Sequence, residues 1–409
     1  MRMEDVKRVI VCLCLLFAVK FQAQDLNTLI EEALDNNPQI QQFEKKYKRV
    51  LERKEEVNTL PNTEIGAGIF LSEPETRTGA QRFKISAKQM LPWFGTISAR
   101  ENYIESLSEA DYQDVVIAKR KLINSVTQLY YKLYGLNAKQ KVLEQNNKLL
   151  KTYEKLALTS LEVNKASAVD VLKLQIRQNE IIQQKEILQE QFLGKQASFN
   201  KLLNRSFDKS IVVPDTIRIT NESYKVNNEV IEVHPELLKF DKLYTSVTQS
   251  ELLNKKEEKP SIGFGIDYIN VGERPNMSFE DNGKDIVMPM VSLSIPIFNK
   301  KNKSISKQNK LKQEEITFKR KDRKNVLEAT LKNAIAEQKA AVISYTTNVK
   351  NLDQARSAEH ILLKSYETGT IDFNDVLDIQ ELQLKFQMNI ITSIVSYYEA
   401  RSLINYLIK

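Results

Sequence analysis

Apolar and polar side chains alternate in four short stretches of this chain, regularly enough to assign faces. In "SIGFGIDYI", Ile262, Phe264, Ile266 and Tyr268 fall on one side and Ser261, Gly263, Gly265 and Asp267 on the other. In "RFKISAKQM", Phe83, Ile85 and Ala87 oppose Arg82, Lys84, Ser86 and Lys88. "VMPMVSLSI" sets Val287, Val291, Leu293 and Ile295 on one face, although Met288 and Met290 blur the contrast, and "LPNTEIGAGIF" from Leu60 supplies the fourth stretch. Period-two patterning over about ten residues predicts β-strands that either cross a membrane or lie half-buried in a soluble sheet. Four strands cannot close a barrel, and lipid tolerates no open sheet edge. Strands that span a membrane must therefore share one barrel with other chains. Pro289 within its strand points to an edge, a bulge or a subunit boundary.

Between the strands the pattern turns helical and stays so. From Thr96 to about Leu158 the only breaker is Gly135, and from Lys300 to Thr368 there is none. At 1.5 Å per residue each run predicts a helix of roughly 90–100 Å, longer than a globular core needs. Leu331, Ile335, Val342, Tyr345, Val349 and Leu352 keep 4-3 spacing, as do Leu377, Leu384, Met388, Ile391, Val395 and Tyr398. Narrow seams of this kind predict coiled-coil packing.

The chain is written twice. "NNPQIQQF" pairs with "EVHPELLKF", "LPNTEIGAGIF" with "EKPSIGFGIDY", "QMLPWFG" with "LSIPIFN", and "LEVNKASAVDVLKLQ" with "YETGTIDFNDVLDIQ". "SFNKLLN" loosely matches "SLINYLI". Pro92 to Asp170 is 78 residues and Pro296 to Asp375 is 79. Blocks in one order at nearly equal spacing predict two tandem repeats, 24–204 and 229–409, each a helix, two strands, a long helix and a return helix. Residues 205–228 are expected to form an irregular link with a short strand at Ser210–Val213.

Glycine and proline number only eleven and ten, which agrees with a mostly helical chain. The formal charge is +7, with Lys and Arg interleaved with Glu and Asp rather than gathered into a patch, so nucleic acid is not an expected partner. Lys7 and Arg8 precede "VIVCLCLLFAV", and Ala23 is a plausible last residue before cleavage, so residues 1–23 read as a secretory signal peptide. Both cysteines, Cys12 and Cys14, fall inside it, with no small residue before either to suggest a lipid anchor. No disulfide or cysteine-based metal site is then expected. No later run approaches eighteen apolar residues, which excludes a helical inner-membrane transporter.

No catalytic constellation is legible. His234 and His360 form no evident pair, and "GAG" and "GFG" lack the third glycine and the helix of a dinucleotide fingerprint. Neither an enzyme nor a bound cofactor or metal is expected.

"LPWFG" at the second strand's end and "YETGTIDFNDVLDIQ" at a helix–helix tip resemble the TolC-like outer-membrane efflux proteins, and the resemblance covers essentially the whole mature chain. It implies a mostly α protein with a membrane β-barrel portion: a homotrimer with four strands per chain in a shared twelve-stranded barrel, plus a long α-helical periplasmic tunnel. It further implies the exit duct of a tripartite efflux pump or a type I secretion system in a Gram-negative outer membrane. The partners would be outer-membrane lipid, a periplasmic adaptor (membrane fusion) protein and an inner-membrane transporter. The other reading is a pore-less periplasmic coiled-coil adaptor or scaffold.

By this resemblance Pro92, Trp93, Phe94 and Gly95, with Pro296 and Phe298 in the second repeat, make the strand-to-helix junctions at the membrane rim. Pro92 would stop the strand, the aromatics would favour the interface, and Gly95 would allow the turn. The competing reading is a buried aromatic pair in a soluble protein. Asp375 and Asp378 match positions that form acidic rings at the periplasmic entrance, where three copies would favour cations and could trap one as a block. Asp375 also suits a helix N-cap. Asp170 is its first-repeat equivalent, and Lys173 stands in the place of Asp378. Gly369 and Asn164 occupy the tip turns, and Tyr366 resembles a tyrosine that links helices near the closed mouth. Where a basic latch partner is expected, this chain has Ile371, with Lys165 and Lys364 nearby in sequence.

Overall fold

The computed structural model describes residues 25–162, 167–219, 229–298, 300–368, 370–371 and 373–409. The expected signal peptide, Asn164, Lys165, Asn299, Gly369 and the end of the expected link lie outside them. In the first half the chain forms α1 (Leu26–Asn36), α2 (Pro38–Val57), β1 (Glu64–Ile69), β2 (Glu75–Thr76), β3 (Gly79–Leu91), α3 (Thr96–Glu162) and α4 (Ala168–Leu202). The second half gives α5 (Glu229–Glu232), α6 (Pro235–Glu257), β4 (Ser261–Val271), β5 (Ile286–Ser294), α7 (Lys300–Glu367) and α8 (Phe373–Ile408). The order recurs, with the short β2 as an addition to the first half.

Two compact units cut across this order. One holds the residues up to Gln41, Ala118–Ile231 and Val326–Lys409; the other holds Gln42–Ile117 and Glu232–Asn325.

The second unit contains the sheet, ordered β1-β3-β4-β5 and antiparallel throughout, with β2 paired to β3. The register puts Ile65 against Ala87, Ala87 against Ile266 and Ile266 against Pro289, while Ile85 meets Tyr268 and Tyr268 meets Val287. One face is therefore apolar across all four strands. Ile65, Ile85, Phe264, Ile266, Tyr268, Val287, Val291 and Leu293 on that face are all exposed. The opposite face carries Lys84, Ser86, Lys88, Gly263, Gly265 and Asp267, with Lys84 ion-paired to the buried Asp267. Pro289 lies in β5, an edge strand, where a missing ladder donor is tolerated.

Below the sheet in sequence, charge pairs join the helices of this unit. Lys46 on α2 meets Asp111 (2.6 Å) and Asp114 (3.3 Å) on α3, and Lys239 on α6 meets Asp114 at 2.6 Å. The hydrogen bond to Asp111 is the main cause that raises the Lys46 pKa. Arg320 on α7 reaches Asp241 (2.7 Å) on α6 and Glu232 (3.1 Å) on α5.

In the first unit α7 buries Leu327, Leu331, Ala334, Gln338, Ala341, Asn348, Leu352 and Ala355, an unbroken seam of three-and-four steps apart from the half-buried Tyr345. The corresponding line on α8 holds Phe373, Val376, Gln380, Gln383, Ile394, Tyr397, Ala400, Ile404 and Leu407. Leu331, Leu352 and Ile391 are buried as expected and Tyr345 lies in the α7 line, while the other expected positions sit about one residue off. Ile335, Val342, Val349, Leu377, Leu384, Met388, Val395 and Tyr398 are half-buried flanks. The cause is composition: alanines and carboxamides fill the closest approaches, and large apolar residues flank them. Polar seam positions are paired across helices, as in Asn146 to Gln387 (3.0 Å), Asn389 to Asn348 (3.2 Å) and Ser393 to Ser344 (2.9 Å).

The strand expected at Ser210–Val213 is absent. Ile211 and Val213 are buried alternately, as in a strand, but they pair with no ladder and Pro214 follows. Asn200 holds this segment instead, donating to the carbonyls of Phe207 and Lys209, both at 2.8 Å.

Candidate functional site

The candidate entrance lies in the first unit, where α3 turns into α4 and α7 into α8. Ser167 caps α4, accepting from the Val169 amide at 3.2 Å, and Asp170 returns the bond by accepting from the Ser167 amide at 3.1 Å. This reciprocal pair satisfies two amides that the helix leaves unmatched. Asp170 is buried by it. Its carboxylate is thus spent on the fold.

The second turn closes through Ser365, whose carbonyl accepts from the Thr370 amide (3.0 Å) and from the hydroxyls of Thr368 (2.9 Å) and Thr370 (2.8 Å). α8 begins at Phe373, so Asp375 is its third residue and not its N-cap, contrary to the N-cap expectation. Asp375 and Asp378 stand three residues apart and therefore on neighbouring sites of one helix face. Both are exposed, and neither forms a hydrogen bond or ion pair among the described residues.

Phe373 anchors the turn. It is buried between Tyr366 (ring centroids 4.9 Å apart) and Tyr153 (6.1 Å), in a core that also holds Leu143, Leu150, Val171, Leu174 and Val376. Ile371 packs on that core. The Tyr366 hydroxyl is buried and has no hydrogen-bond partner among the described residues.

A polar layer lies behind the aromatic one. The Tyr153 hydroxyl donates to Glu359 at 2.5 Å, Gln383 donates to the same carboxylate at 2.8 Å, and Gln380 donates to the Tyr153 oxygen at 3.3 Å. Burial, followed by the bond to Glu359, pushes the Tyr153 hydroxyl well above its ordinary pKa. On the other side Gln175 and Gln178 both donate to Glu154 at 2.8 Å, and the Gln175 bond is the first cause that lowers the Glu154 pKa.

Two cations of α4 reach across to α8. The Lys173 ammonium donates to Asn374 at 2.6 Å, and Arg177 pairs with Glu381 and, at 2.9 Å, with Glu180. These contacts, with Tyr153, Glu154 and Glu359, were not singled out in the sequence. The signal was present: Lys173 opposes Asp378 in charge at equivalent places of the two repeats. Between α3, α4 and α8 runs a groove with Leu150, Ile181, Leu377, Leu384 and Met388 at its base and Arg177, Glu180, Glu381 and Lys385 at its rim.

The strand-to-helix junction lies in the second unit. β3 ends at Leu91, immediately before Pro92. Gly95 has φ +78°, a backbone conformation that disfavours side chains, and the Thr96 amide bonds back to the Trp93 carbonyl at 3.0 Å. Trp93 and Phe94 meet edge to face at 5.9 Å. Phe94 is 78 % exposed, Phe298 is 92 % exposed and Pro296 is exposed, so the junction is not a buried aromatic pair.

His234 accepts from the Glu236 amide at 3.3 Å and caps α6. Among the described residues no group of three or more His, Cys, Asp or Glu is placed to hold a metal, and no helix is long and apolar enough to cross a membrane.

No family model matches the sequence, and a comparison with curated proteins finds no match. Solved structures do match. The outer-membrane channel OprN aligns at TM-score 0.76 and 17% identity over 94% of this chain and 89% of its own. CusC, a transmembrane channel, aligns at 0.77 and 13% over 95% of this chain and 92% of its own. The outer membrane protein VceC from Vibrio cholerae aligns at 0.74 and 15% over 93% of this chain and 95% of its own. The chain shares the fold of these channels: mostly helical, with a small antiparallel sheet.

Proposed function

We propose that this protein is the outer-membrane exit duct of a tripartite efflux pump, passively conducting substrates from the periplasm to the outside. The observation that carries the reading is the sheet: a path of four strands with one continuous exposed apolar face and, among the described residues, two unpaired edges. An open edge in lipid leaves backbone groups unsatisfied, so three copies closing one barrel is the arrangement that satisfies them. A pore-less scaffold has no use for such a face. The exposed Phe94 and Phe298 then take the rim of the barrel, where aromatics favour the interface.

The turns between α3 and α4 and between α7 and α8 form the periplasmic entrance. Three copies of Asp375 and Asp378 would line it with six carboxylates that concentrate cations. Lys173 and Arg177 latch α4 to α8 there, in place of the basic residue absent at Ile371. An exposed ion pair such as Arg177–Glu381 contributes about 0.2–1 kcal/mol. Such a latch holds the mouth shut yet yields to the docking of a periplasmic adaptor and an inner-membrane transporter. The duct has no energy source of its own.

The first test is the mass of the detergent-extracted protein from separated outer membranes, with heated and unheated gel samples beside it. A trimer in that fraction is expected; a monomer in the soluble periplasm would overturn the duct. At the entrance, Asp375→Ala with Asp378→Ala should weaken cation block of single-channel current. Block of undiminished strength would remove the acidic mouth while leaving the duct in place.

A further inference from the structure

Residues 300–324 hold eleven Lys and Arg against three Asp and Glu, a surplus of eight in a sequence whose total is +7. Contrary to the expectation of interleaved charge, the basic character of the chain is thus concentrated at the start of α7, within the second unit. Two parts of this stretch behave differently. From Lys312 onward most cations are answered: Lys312 and Lys319 hold Glu315, Arg320 holds Asp241 and Glu232, Arg323 holds Glu236 and Lys324 holds Glu232. Lys300, Lys301, Lys303, Lys307 and Lys310 are all exposed, and none forms an ion pair or hydrogen bond among the described residues.

Within one chain this placement is unfavourable. Lys300, Lys303, Lys307 and Lys310 recur at three and four residues, so they stand on one helix face and repel one another. The first turn of α7 holds no acidic residue, and the helix dipole opposes cations there. Nor is it a general demand of the fold. The equivalent start of α3, Thr96–Ala110, carries Arg100 against Glu101, Glu105 and Glu109.

The segment just before the lysines indicates what they meet. β5 ends at Ser294, and Ile295, Ile297 and Phe298 follow it exposed. Strand, then aromatic, then lysines is the order in which a chain leaves hydrocarbon, crosses the interface and meets headgroups. At 1.5 Å per residue, Lys310 is about 15 Å along the helix from Lys300. That is about the thickness of a headgroup layer plus one Debye length of roughly 8–10 Å. A neighbouring copy is a poorer match for the charge, because of the three acidic residues at the start of α3 Glu105 and Glu109 are already held by Lys54 and Lys242, which leaves Glu101 alone against five lysines.

We propose that the face formed by Lys300, Lys301, Lys303, Lys307 and Lys310 binds the phosphate headgroups of anionic phospholipids in the periplasm-facing leaflet, fixing the depth of the barrel electrostatically. This rests on the barrel reading above.

The test uses the full-length oligomer in nanodiscs of phosphatidylcholine containing a minority of phosphatidylglycerol. The lipid retained after partial delipidation is then quantified. Phosphatidylglycerol should be enriched about fivefold or more over its bulk share, with the enrichment declining as salt rises. The variant K300Q/K301Q/K303Q/K307Q/K310Q should lose the enrichment, and changing the same five residues to arginine should keep it. Neutralising Lys332, Lys339 and Lys350, exposed elsewhere on α7, should also leave it intact. Equal enrichment in the glutamine variant, or none in the unaltered protein, would overturn the lipid surface and leave the barrel standing. A glutamine variant that dissociates to monomers in detergent would overturn it too, assigning the lysines to a contact between copies. Failure of the unaltered protein to enter nanodiscs of any composition would instead sink the barrel reading itself.

Discussion

Gly135 lies inside the 67-residue α3, where glycine costs about 1 kcal/mol relative to alanine. A Cβ at that position would stand 2.5 Å from Cγ2 of Val395 on α8, so the missing side chain is what lets the two helices close. Gly135→Val should therefore destabilise the fold by about 1–3 kcal/mol through overpacking. Val395→Ala, made in the same chain, should recover part of the loss, and thermal unfolding of the four variants reads both terms. Melting of Gly135→Val at the unaltered temperature would mean that the helices are not in contact there. The two aspartates that follow the tips separate in the same manner. Asp170→Ala removes half of a capping box and should cost about 0.5–1 kcal/mol without touching cation block. Asp375→Ala leaves a free carboxylate position empty, so it should change block and leave the melting temperature nearly unmoved.

At the scale of elements, Glu232 on the four-residue α5 takes hydrogen bonds from Lys324 and Arg320 of α7. The Lys324 bond comes first among the causes that hold its pKa below the ordinary 4.5. A carboxylate depressed in the folded state contributes its stability above the unfolded pKa and loses it as pH falls through the folded one. Glu232→Gln should thus lower the melting temperature at neutral pH, and the difference should shrink as the pH falls below the ordinary carboxylate value of 4.5. A constant difference across that window would show that shape, not charge, holds α5. Which elements could be read in advance follows from the physics that makes each. The strands were legible because alternation on a sheet with two unlike faces is periodic in the sequence itself, as in Ile262 to Tyr268. The long helices were legible because nothing between Lys300 and Glu367 can break one. Their seams were legible only in part, at Leu331, Leu352 and Ile391, because Ala334, Gln338, Ala341 and Asn348 bury closely without being large or apolar. Ile211 and Val213 misled in the opposite sense, showing a strand's alternation without a neighbour to pair with. The latch pairs Lys173–Asn374 and Arg177–Glu381 depend on residues about two hundred positions apart, a juxtaposition that only the packing of α4 on α8 creates.

For the molecule as a whole, the two repeats and the two compact units divide the chain differently, and the sheet is where this matters. β1 and β3 come from one repeat and β4 and β5 from the other, yet β3 and β4 pair over ten register positions. The repeats therefore complete one sheet along the path β1-β3-β4-β5, not two hairpins, and its remaining edges among the described residues belong to β1 and β5. In a shared barrel the β5 of one copy must pair with the β1 of the next, and the apolar face must meet lipid. Charge placed on the two faces should then have unequal effects. Ile266→Arg falls in the middle of β4 on the apolar face, where an arginine near the bilayer midplane costs about 2–4 kcal/mol. Ser294→Arg enters on the opposite face at the end of β5, which a barrel turns toward water. The expected result is a sharp loss of heat-sensitive oligomer from separated outer membranes for Ile266→Arg, and near-normal assembly for Ser294→Arg. Equal assembly of the two variants would mean that the apolar face never meets lipid, and the shared barrel would fall with it. Reversed effects would place that face toward the interior of whatever the strands enclose.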